Sequence, residues 1–154
     1  MDSTFGNVDS VEFAIYLNKK ANDLGKHTNM TKIHKWLYIC YGTYLVAYNK
    51  QPLLNEQPQA WDHGPFFPRV YDKQKANGDS LDGLDVDIDV EKFKQYDEII
   101  DPILGHFGTW SATGLVNWTH EEGKAWDKAF SKGKKSLIDH SDIYSDFRRF
   151  VSNG

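Results

Sequence analysis

The sequence predicts a mainly α protein of the α+β class, a single globular domain of several helices around one central helix. Apolar residues recur at the spacing of three and four that is typical of amphipathic helices along most of the chain. A stretch rich in aromatic residues, glycine and proline, from Gln59 to Tyr71, interrupts that pattern and favours a small element of short strands. The 154 residues suffice for one domain with its own core. We expect that domain over residues 9–151, after a polar tail at residues 1–8.

Composition narrows the class of protein. The lone Cys40 excludes an internal disulfide and favours a reducing, cytoplasmic setting. No apolar run approaches the roughly 20 residues needed to cross a bilayer, and the first residues lack the basic-then-apolar order of a secretory signal. A formal net charge of −4 argues against a nucleic-acid partner, because phosphate binding depends on clustered Lys and Arg. We therefore expect a cytoplasmic protein without a membrane or nucleic-acid partner.

Two helices are predicted before residue 50. From a cap at Asp9 or Ser10, apolar residues recur at helical spacing until Gly25 ends the helix. The strongest helical signal follows a cap at Thr31, where aromatic and aliphatic residues trace one wide face. We take residues 32–49 as the central helix, with an apolar stripe broad enough to be covered on more than one side.

The middle of the chain is predicted to form short extended pieces near residues 53–61. They lead into a turn at Gly64-Pro65, because proline biases the residue before it toward extended conformations. Pro68 lacks a backbone N–H and suits the first position of a helix, which we expect to run from Pro68 to Ala76.

The acidic stretch at residues 79–91 alternates carboxylates with apolar residues. That alternation favours a short edge strand over residues 84–90, or an ordered loop with its charges outward. The spacing of Asp85, Asp87 and Asp89 is that of a calcium loop, but Val90 and Tyr96 replace its glycine and its final glutamate. We therefore expect no calcium site.

Helices account for most of the remaining chain. One should cover residues 93–107, with an interruption or kink at Asp101-Pro102, and a second should begin at the Ser111 cap. A third should end at Gly133, before an exposed basic turn at residues 132–135 and a loop that enters the last helix.

The sequence contains none of the common metal or cofactor motifs. Six histidines are present, but none has the spacing of H-E-x-x-H or H-x-H, and C-x-x-C is absent. Neither a G-x-S-x-G nor a phosphate-binding glycine loop occurs. Cys40 lies on the apolar face of the central helix, which favours a buried structural thiol over a nucleophile. We expect no metal, no cofactor and no catalytic residues.

Two polar clusters could carry chemistry. Asp62 and His63 could form half of an acid–base pair, but adjacent residues of an extended segment point to opposite faces. We favour a structural role, in which Asp62 bonds the turn and His63 packs with its edge exposed. Thr119 and Glu122 have the spacing of a capping box, which requires only a helix start.

With its segments laid out, the chain resembles the Panacea antitoxin domain family, which includes SocA-like proteins and prophage proteins of the GepA type. The segments that carry the resemblance are Lys32-Ile33 with Lys35-Trp36-Leu37-Tyr38, Gln51-Pro52-Leu53, Ala60-Trp61-Asp62-His63-Gly64-Pro65 with Val70-Tyr71, the T-H-x-x-x-x-x-W pattern between Leu115 and Trp126, Ile138-Asp139, and Phe147 with Phe150. The resemblance spans about residues 9–151. Two departures are Ala125, where the family commonly has proline, and the acidic insert at residues 79–91.

The resemblance implies an antitoxin that is not an enzyme and that neutralises a cognate protein toxin by direct binding. In the SocA-like branch it also implies delivery of the toxin to a cytoplasmic protease. The family occurs in phage and prophage settings, which suggests a role in phage defence or counter-defence. We expect these residues to form or shape the partner-binding face: Trp61, Asp62, His63, Gly64, Pro65, Phe66, Arg69, Tyr71, His120 and Trp126.

Two alternatives come from other classes of protein. One is a hydrolase, metal-dependent or acid–base, that uses His63, His120 and nearby carboxylates. A lower-ranked one is a regulator that binds DNA through Lys124 to Lys135, although no recognition helix with a basic face is apparent.

Overall fold

A computed structural model describes residues 5–153 and confirms a mainly helical fold with one small sheet. Its helices are α1 (Ser10–Asp23), α2 (Met30–Ala47), α3 (Pro68–Ala76), the short α4 (Val90–Phe93), α5 (Asp97–Phe107), α6 (Ala112–Thr119), α7 (Ala125–Lys132) and α8 (His140–Asn153). Its strands are β1 (Gln59–Trp61), β2 (Gly64–Phe66) and β3 (Ser136–Leu137). Among the described helices, none combines the length and the hydropathy that a bilayer span requires.

Helix α2 is the centre of the domain, as the sequence predicts. It packs against α1, α3, α5, α6, α8 and strand β2, and every residue from Lys32 to Gly42 is buried. Gly42 allows a close approach of α8, because a Cβ at that position would overlap the ring of Phe147. The helix begins earlier than expected, since the side chain of Asn29, and not that of Thr31, accepts the N–H of Lys32 at 2.9 Å.

The first helix agrees with its predicted caps. Asp9 is the N-cap of α1 and accepts the N–H of Glu12 at 2.9 Å. In the predicted polar tail before it, the N–H of Gly6 donates to the carbonyl of Leu54 at 2.7 Å and Val8 forms a parallel bridge with Leu54. Residues 1–4 of that tail lie outside the described residues.

The sheet is antiparallel with the order β2-β1-β3. Ala60 pairs with Pro65 on one side and with Ser136 on the other. The extended piece predicted before the turn is therefore β1, but β2 and β3 were missed as strands. Residues 136–137, where a loop was expected, pair with β1. The preceding Lys135 extends this contact by donating its N–H to the carbonyl of Ala60 at 2.7 Å.

The predicted strand at residues 84–90 is wrong. Leu84–Asp87 form a 3-10 helix and Val90 begins α4. The backbone there forms local hydrogen bonds and does not pair with a neighbouring strand. For example, the N–H of Ile88 donates to the carbonyl of Asp85 at 3.4 Å. The alternating pattern does not separate two faces of a sheet, since Val86 is 81% exposed.

The predicted interruption of the next helix is displaced. A 3-10 turn at Lys94–Tyr96 precedes α5, and α5 continues past Pro102. Proline costs a helix the hydrogen bond to the carbonyl four residues earlier. Glu98 and Pro102 are both exposed, so the carbonyl that loses its donor lies on the solvent side of α5.

Helix α6 begins after its predicted cap and α7 ends at Gly133 as predicted, but one cap was assigned wrongly. Ser111 caps α6 by accepting the N–H of Gly114 at 3.0 Å. Thr119 does not start a helix, because it is the last residue of α6 and donates its hydroxyl to the carbonyl of Val116 at 2.7 Å. The first N–H of α7, at Ala125, instead donates to the carboxylate of Asp146 on α8 at 2.7 Å.

Candidate partner-binding site

The hairpin of β1 and β2 presents the most distinctive part of the sequence. Its turn residues, Asp62 and His63, are exposed, whereas Gly64 is buried. Gly64 has a φ of 97°, a conformation that favours glycine. A Cβ at this position would lie 2.6 Å from Cε of Lys35 and 3.0 Å from Oγ1 of Thr119. Glycine is therefore required at this position for two reasons: the backbone has a positive φ, and side chains of α2 and α6 approach closely.

Aromatic stacking fixes the hairpin to the body of the protein. The rings of Trp61 and Phe66 lie 4.8 Å apart and almost parallel, and the ring of His34 stacks against Phe66 at 4.1 Å. Tyr71 on α3 meets Trp61 edge-on at 4.9 Å. The amine of Lys35 lies 3.9 Å from the centre of the Phe66 ring. We call these five residues, with His120 and Trp126, the hairpin cluster.

His34 is fully buried and fully bonded at its ring. Its Nδ1 accepts the N–H of Phe67 at 3.1 Å, so Nε2 carries the proton and donates to Oε1 of Gln74 at 2.8 Å. Burial, with a further contribution from the charge of Lys35, lowers the pKa of His34 to about 3. His34 is therefore a neutral structural residue at physiological pH.

Lys35 is a second buried polar residue beneath the hairpin. Its amine donates to the carbonyl of Pro65 at 2.7 Å, and its side chain is 0% exposed. Burial lowers the pKa of the amine well below its ordinary value. The hydrogen bond holds the start of β2 against α2.

Trp126 and His120 join the hairpin from the other side. The indole N–H of Trp126 donates to the carbonyl of Trp61 at 2.9 Å, and the ring of His120 stacks on Trp126 at 3.7 Å. Nε2 of His120 is buried and has no hydrogen-bond partner among the described residues. Burial, followed by the charges of Lys35 and His63, lowers the pKa of His120. These contacts attach His120 and Trp126 to a hairpin that lies far from them in the sequence.

The exposed edge of the hairpin is polar and carries charges of both signs. Asp62 forms an ion pair with Lys134 at 3.5 Å, and the amine of Lys135 lies 5.0 Å from the centre of the Trp61 ring. Arg69 points elsewhere, because its guanidinium donates to the carboxylate of Asp9 at 3.0 Å. The side chain of Arg69 is thus directed toward the start of α1.

The predicted site residues divide by exposure into three groups. Gly64, Pro65, Phe66 and Trp126 are buried; Trp61, Tyr71 and His120 are half-buried; Asp62, His63 and Arg69 are exposed. A face that a partner can touch is therefore limited to the second and third groups. The first group holds that face in place.

Sequence reasoning missed four residues that support the site: His34, Lys35, Gln74 and Thr119. The signal for two of them was present, because His34 and Lys35 interrupt an otherwise apolar run of the central helix. Polar residues in such a run must have partners inside the protein, and here both partners lie at the base of the hairpin.

The candidates for bond-making chemistry among the described residues are possible metal ligands and the thiol of Cys40. Within residues 5–153, no group of three His, Cys, Asp or Glu side chains is arranged to hold a metal ion. Cys40 is buried, as predicted, and burial raises the pKa of its thiol. An aromatic edge beside charged side chains is instead typical of surfaces that recognise proteins.

Comparison with known proteins confirms the resemblance drawn from the sequence. The family described as "Antitoxin SocA-like, Panacea domain" matches residues 33–127. The chain is also similar to Antitoxin SocA of Caulobacter vibrioides (strain NA1000 / CB15N), at 32% identity over 132 residues, which cover 79% of this chain and 70% of that relative. No solved structure gives a significant match. The matched region contains α2 from Ile33 onward, the whole hairpin and the start of α7, and the chain belongs to the SocA-like antitoxin family with a Panacea domain.

Proposed function

We propose that this protein is an antitoxin that neutralises a cognate protein toxin by binding it directly. The observation that carries the proposal is family membership, which extends over the hairpin cluster and its supports. The proposal includes cytoplasmic action and no catalytic step. It also includes a role in phage defence, which the family resemblance suggests.

We propose that the accessible part of the hairpin cluster contacts the toxin. Trp61 and Tyr71 are half-buried and locked by stacking, so they would lose little conformational freedom on binding. Asp62 and His63 border them at the turn and supply charge and hydrogen bonds. Rigid aromatic residues inside a polar rim are the usual composition of an interface hot spot.

Two routes to neutralisation are open to such a complex. The antitoxin can mask the toxin's active surface, or it can deliver the toxin to a cytoplasmic protease. The half-life of the toxin in cells separates them: masking leaves the toxin stable in the complex, whereas delivery shortens its half-life only while the protease is present.

Neither alternative function gains support from the geometry of the site. The hydrolase would need His63 and His120 to share a substrate with a metal or a carboxylate, and His120 is stacked on Trp126 at 3.7 Å. The DNA regulator would need a free basic cluster. However, Lys124 is paired with Glu121 at 3.2 Å, Lys128 with Asp142 at 3.5 Å and Lys134 with Asp62.

Co-expression tests the proposal directly. Each gene that flanks this one is expressed alone and together with it, and cell growth and co-purification are measured. We expect one neighbour to stop growth alone, and this protein to restore growth and to co-purify with it. A panel in which every neighbour is harmless, and in which no complex forms, contradicts the proposal.

His63→Ala and His120→Ala variants serve as the control against the hydrolase. An antitoxin that only binds should keep or lose rescue in proportion to its affinity for the toxin. Loss of rescue at unchanged affinity would instead support the enzyme.

A further inference from the structure

We infer that a groove between α2, α5 and α8, continued along α6 and the loop that follows it, binds an apolar segment of the toxin that carries basic side chains. This inference rests on the proposed function and adds a second contact surface to it. The groove consists of two adjoining depressions, of about 760 and 650 Å3, that share His106 and Phe150 in their walls. None of the predicted site residues lines either depression.

The larger depression is lined mainly by apolar side chains. Its lining includes Ala47, Ile99, Pro102, Ile103, Phe107 and Val151. Val151 and Tyr48, which both line it, are 46% and 44% exposed. Large apolar side chains that lie exposed beside one another mark interaction sites more often than isolated ones do.

The floor of the groove is rigid. The ring of Phe150 lies 5.9 Å from that of Phe107 and 5.5 Å from that of Trp118, and Phe107 and Trp118 are 5.3 Å apart. Phe107 is 1% exposed and its carbonyl accepts the indole N–H of Trp36 in α2. The floor therefore needs no rearrangement before a partner binds.

Carboxylates border both depressions. Glu98 lies in the larger one and Glu122 in the smaller one, both exposed. Neither forms an ion pair with any residue in the described part of the chain. The Lys and Arg side chains that line the smaller depression are already paired, Lys124 with Glu121 at 3.2 Å and Arg149 with Asp146 at 3.8 Å. A partner with Lys or Arg at both ends of an apolar segment would complement this charge.

The shape of the groove favours a protein segment over a small molecule. Each depression alone has the volume of a typical small-molecule site. Joined through the shared residues, they form an elongated surface that suits an amphipathic helix or an extended strand of a partner. A segment with a few apolar side chains over α5 and basic side chains beside Glu98 and Glu122 satisfies the shape and the charge together.

Affinity measurements on four groove variants test the inference. The probe is the toxin identified by co-expression, in a catalytically inactive form, and binding is measured by titration calorimetry. Val151→Asp and Ala47→Arg introduce charge or bulk at exposed groove positions; Glu98→Lys and Glu122→Lys reverse the acidic border. Val86→Asp and Asp87→Lys, at exposed positions of the 3-10 helix outside the groove, are the matched controls. Circular dichroism and thermal melting verify that each variant is folded.

We expect Val151→Asp and Ala47→Arg to weaken binding by at least about tenfold, as at an interface hot spot. We expect each charge reversal to weaken binding by about three- to tenfold, with a smaller loss at high salt because ions screen exposed charges. The controls should bind like the wild type.

Each remaining outcome identifies what has failed. If the wild type binds no toxin, the proposed function fails before the groove is tested. Binding by the wild type with no loss in Val151→Asp or Ala47→Arg overturns the inference and leaves the proposed function standing. Loss in those two variants but not in the charge reversals overturns the basic character of the segment. A small apolar molecule retained by the purified protein in native mass spectrometry, and displaced by Ala47→Arg without loss of toxin binding, also overturns the inference.

Discussion

The hairpin cluster and the groove differ in how visible they are in the sequence and in how they are used in the fold. The hairpin, with the cluster around it, carries the densest run of aromatic, glycine and proline residues, yet Gly64, Pro65 and Phe66 of the hairpin and Trp126 of the cluster are buried. The groove draws on α2, α5, α6, α8 and the loop after α6, and its exposed members, such as Ala47, Pro102 and Val151, belong to no motif. The hairpin, which is conspicuous in the sequence, is therefore largely scaffold. The groove, which is not, holds the exposed apolar surface.

The comparison teaches what kinds of constraint a single sequence records. Glycine and proline mark places where the backbone has few options, and tryptophan marks large contacts that are hard to replace. Such constraints are strongest where segments meet inside the protein. A docking surface requires only that apolar residues remain uncovered, which depends on the packing of distant helices.

The largest expected effect is at Trp126. Trp126→Ala removes a ring that is 7% exposed, stacks on His120 and Phe130, and bonds the carbonyl of Trp61. We expect the free energy of unfolding to fall by about 3–5 kcal/mol, measured by chemical denaturation. Trp126→Phe keeps much of the contact area and loses the hydrogen bond, so its cost should be smaller, about 1–2 kcal/mol. A cost near zero for Trp126→Ala would mean that the hairpin cluster is not scaffold.

Gly64→Ala should have the next largest effect on the free energy of unfolding. The methyl group would press on Lys35 and Thr119, and alanine disfavours a φ of 97°. We expect a loss of about 2 kcal/mol in the free energy of unfolding. Gly105→Ala is the matched control, because Gly105 lies inside α5 with open space around it and alanine there should stabilise the protein by about 0.5–1 kcal/mol. Equal effects from the two substitutions would refute the assigned role of Gly64.

The pH dependence of stability tests the buried histidine beneath the hairpin. The pKa of His34 is about 3 in the folded protein and 6.5 as a reference, so the unfolded chain takes up a proton that the folded one does not. Stability is therefore complete above pH 6.5 and falls as the pH drops toward 3. We expect His34 to contribute a slope of about 1.4 kcal/mol per pH unit in that window.

His34→Gln should have a shallower slope, measured by denaturation between pH 7 and pH 4. His120 and His140 also have lowered pKa values, chiefly through burial, and add to the slope in both proteins. An unchanged slope in His34→Gln would show that His34 is already protonated in the folded state.

The smallest effect on stability should come from the groove. Val151→Asp alters a side chain that is 46% exposed near the end of α8. We expect a change within about 0.5 kcal/mol in the free energy of unfolding, measured by chemical denaturation. A destabilisation as large as that of Trp126→Ala would place Val151 in the core and remove the contrast between the two regions.

Much of the fold was predictable because periodicity and caps are local. Helix α3 has the predicted bounds, and Ser111 caps α6 as expected. The missed strand β3 depends on pairing with β1, some 75 residues earlier in the chain, which no local pattern reports. The acidic stretch failed as a strand for the same reason, since alternation forms a strand only beside a partner.

The candidate site was predictable in part. The sequence placed Trp61 and His120 in one site, and the structure joins them through Trp126. It could not say which members are buried, because burial of Pro65 and Phe66 depends on Lys35 and His34 of another helix. The groove had no signal at all, since its apolar residues have the same spacing as the core residues of α5 and α8.

Amide hydrogen exchange of the protein alone and in complex with its toxin is the most direct test of the account. Its central claim is that the toxin contacts the groove and the exposed edge of the hairpin. We predict slower exchange in the complex within Asp97–Phe107, at residues 143–151 and around residues 62–63, with no change at Leu84–Asp87. Slower exchange confined to other segments, with the groove and the hairpin turn unaffected, would contradict the account.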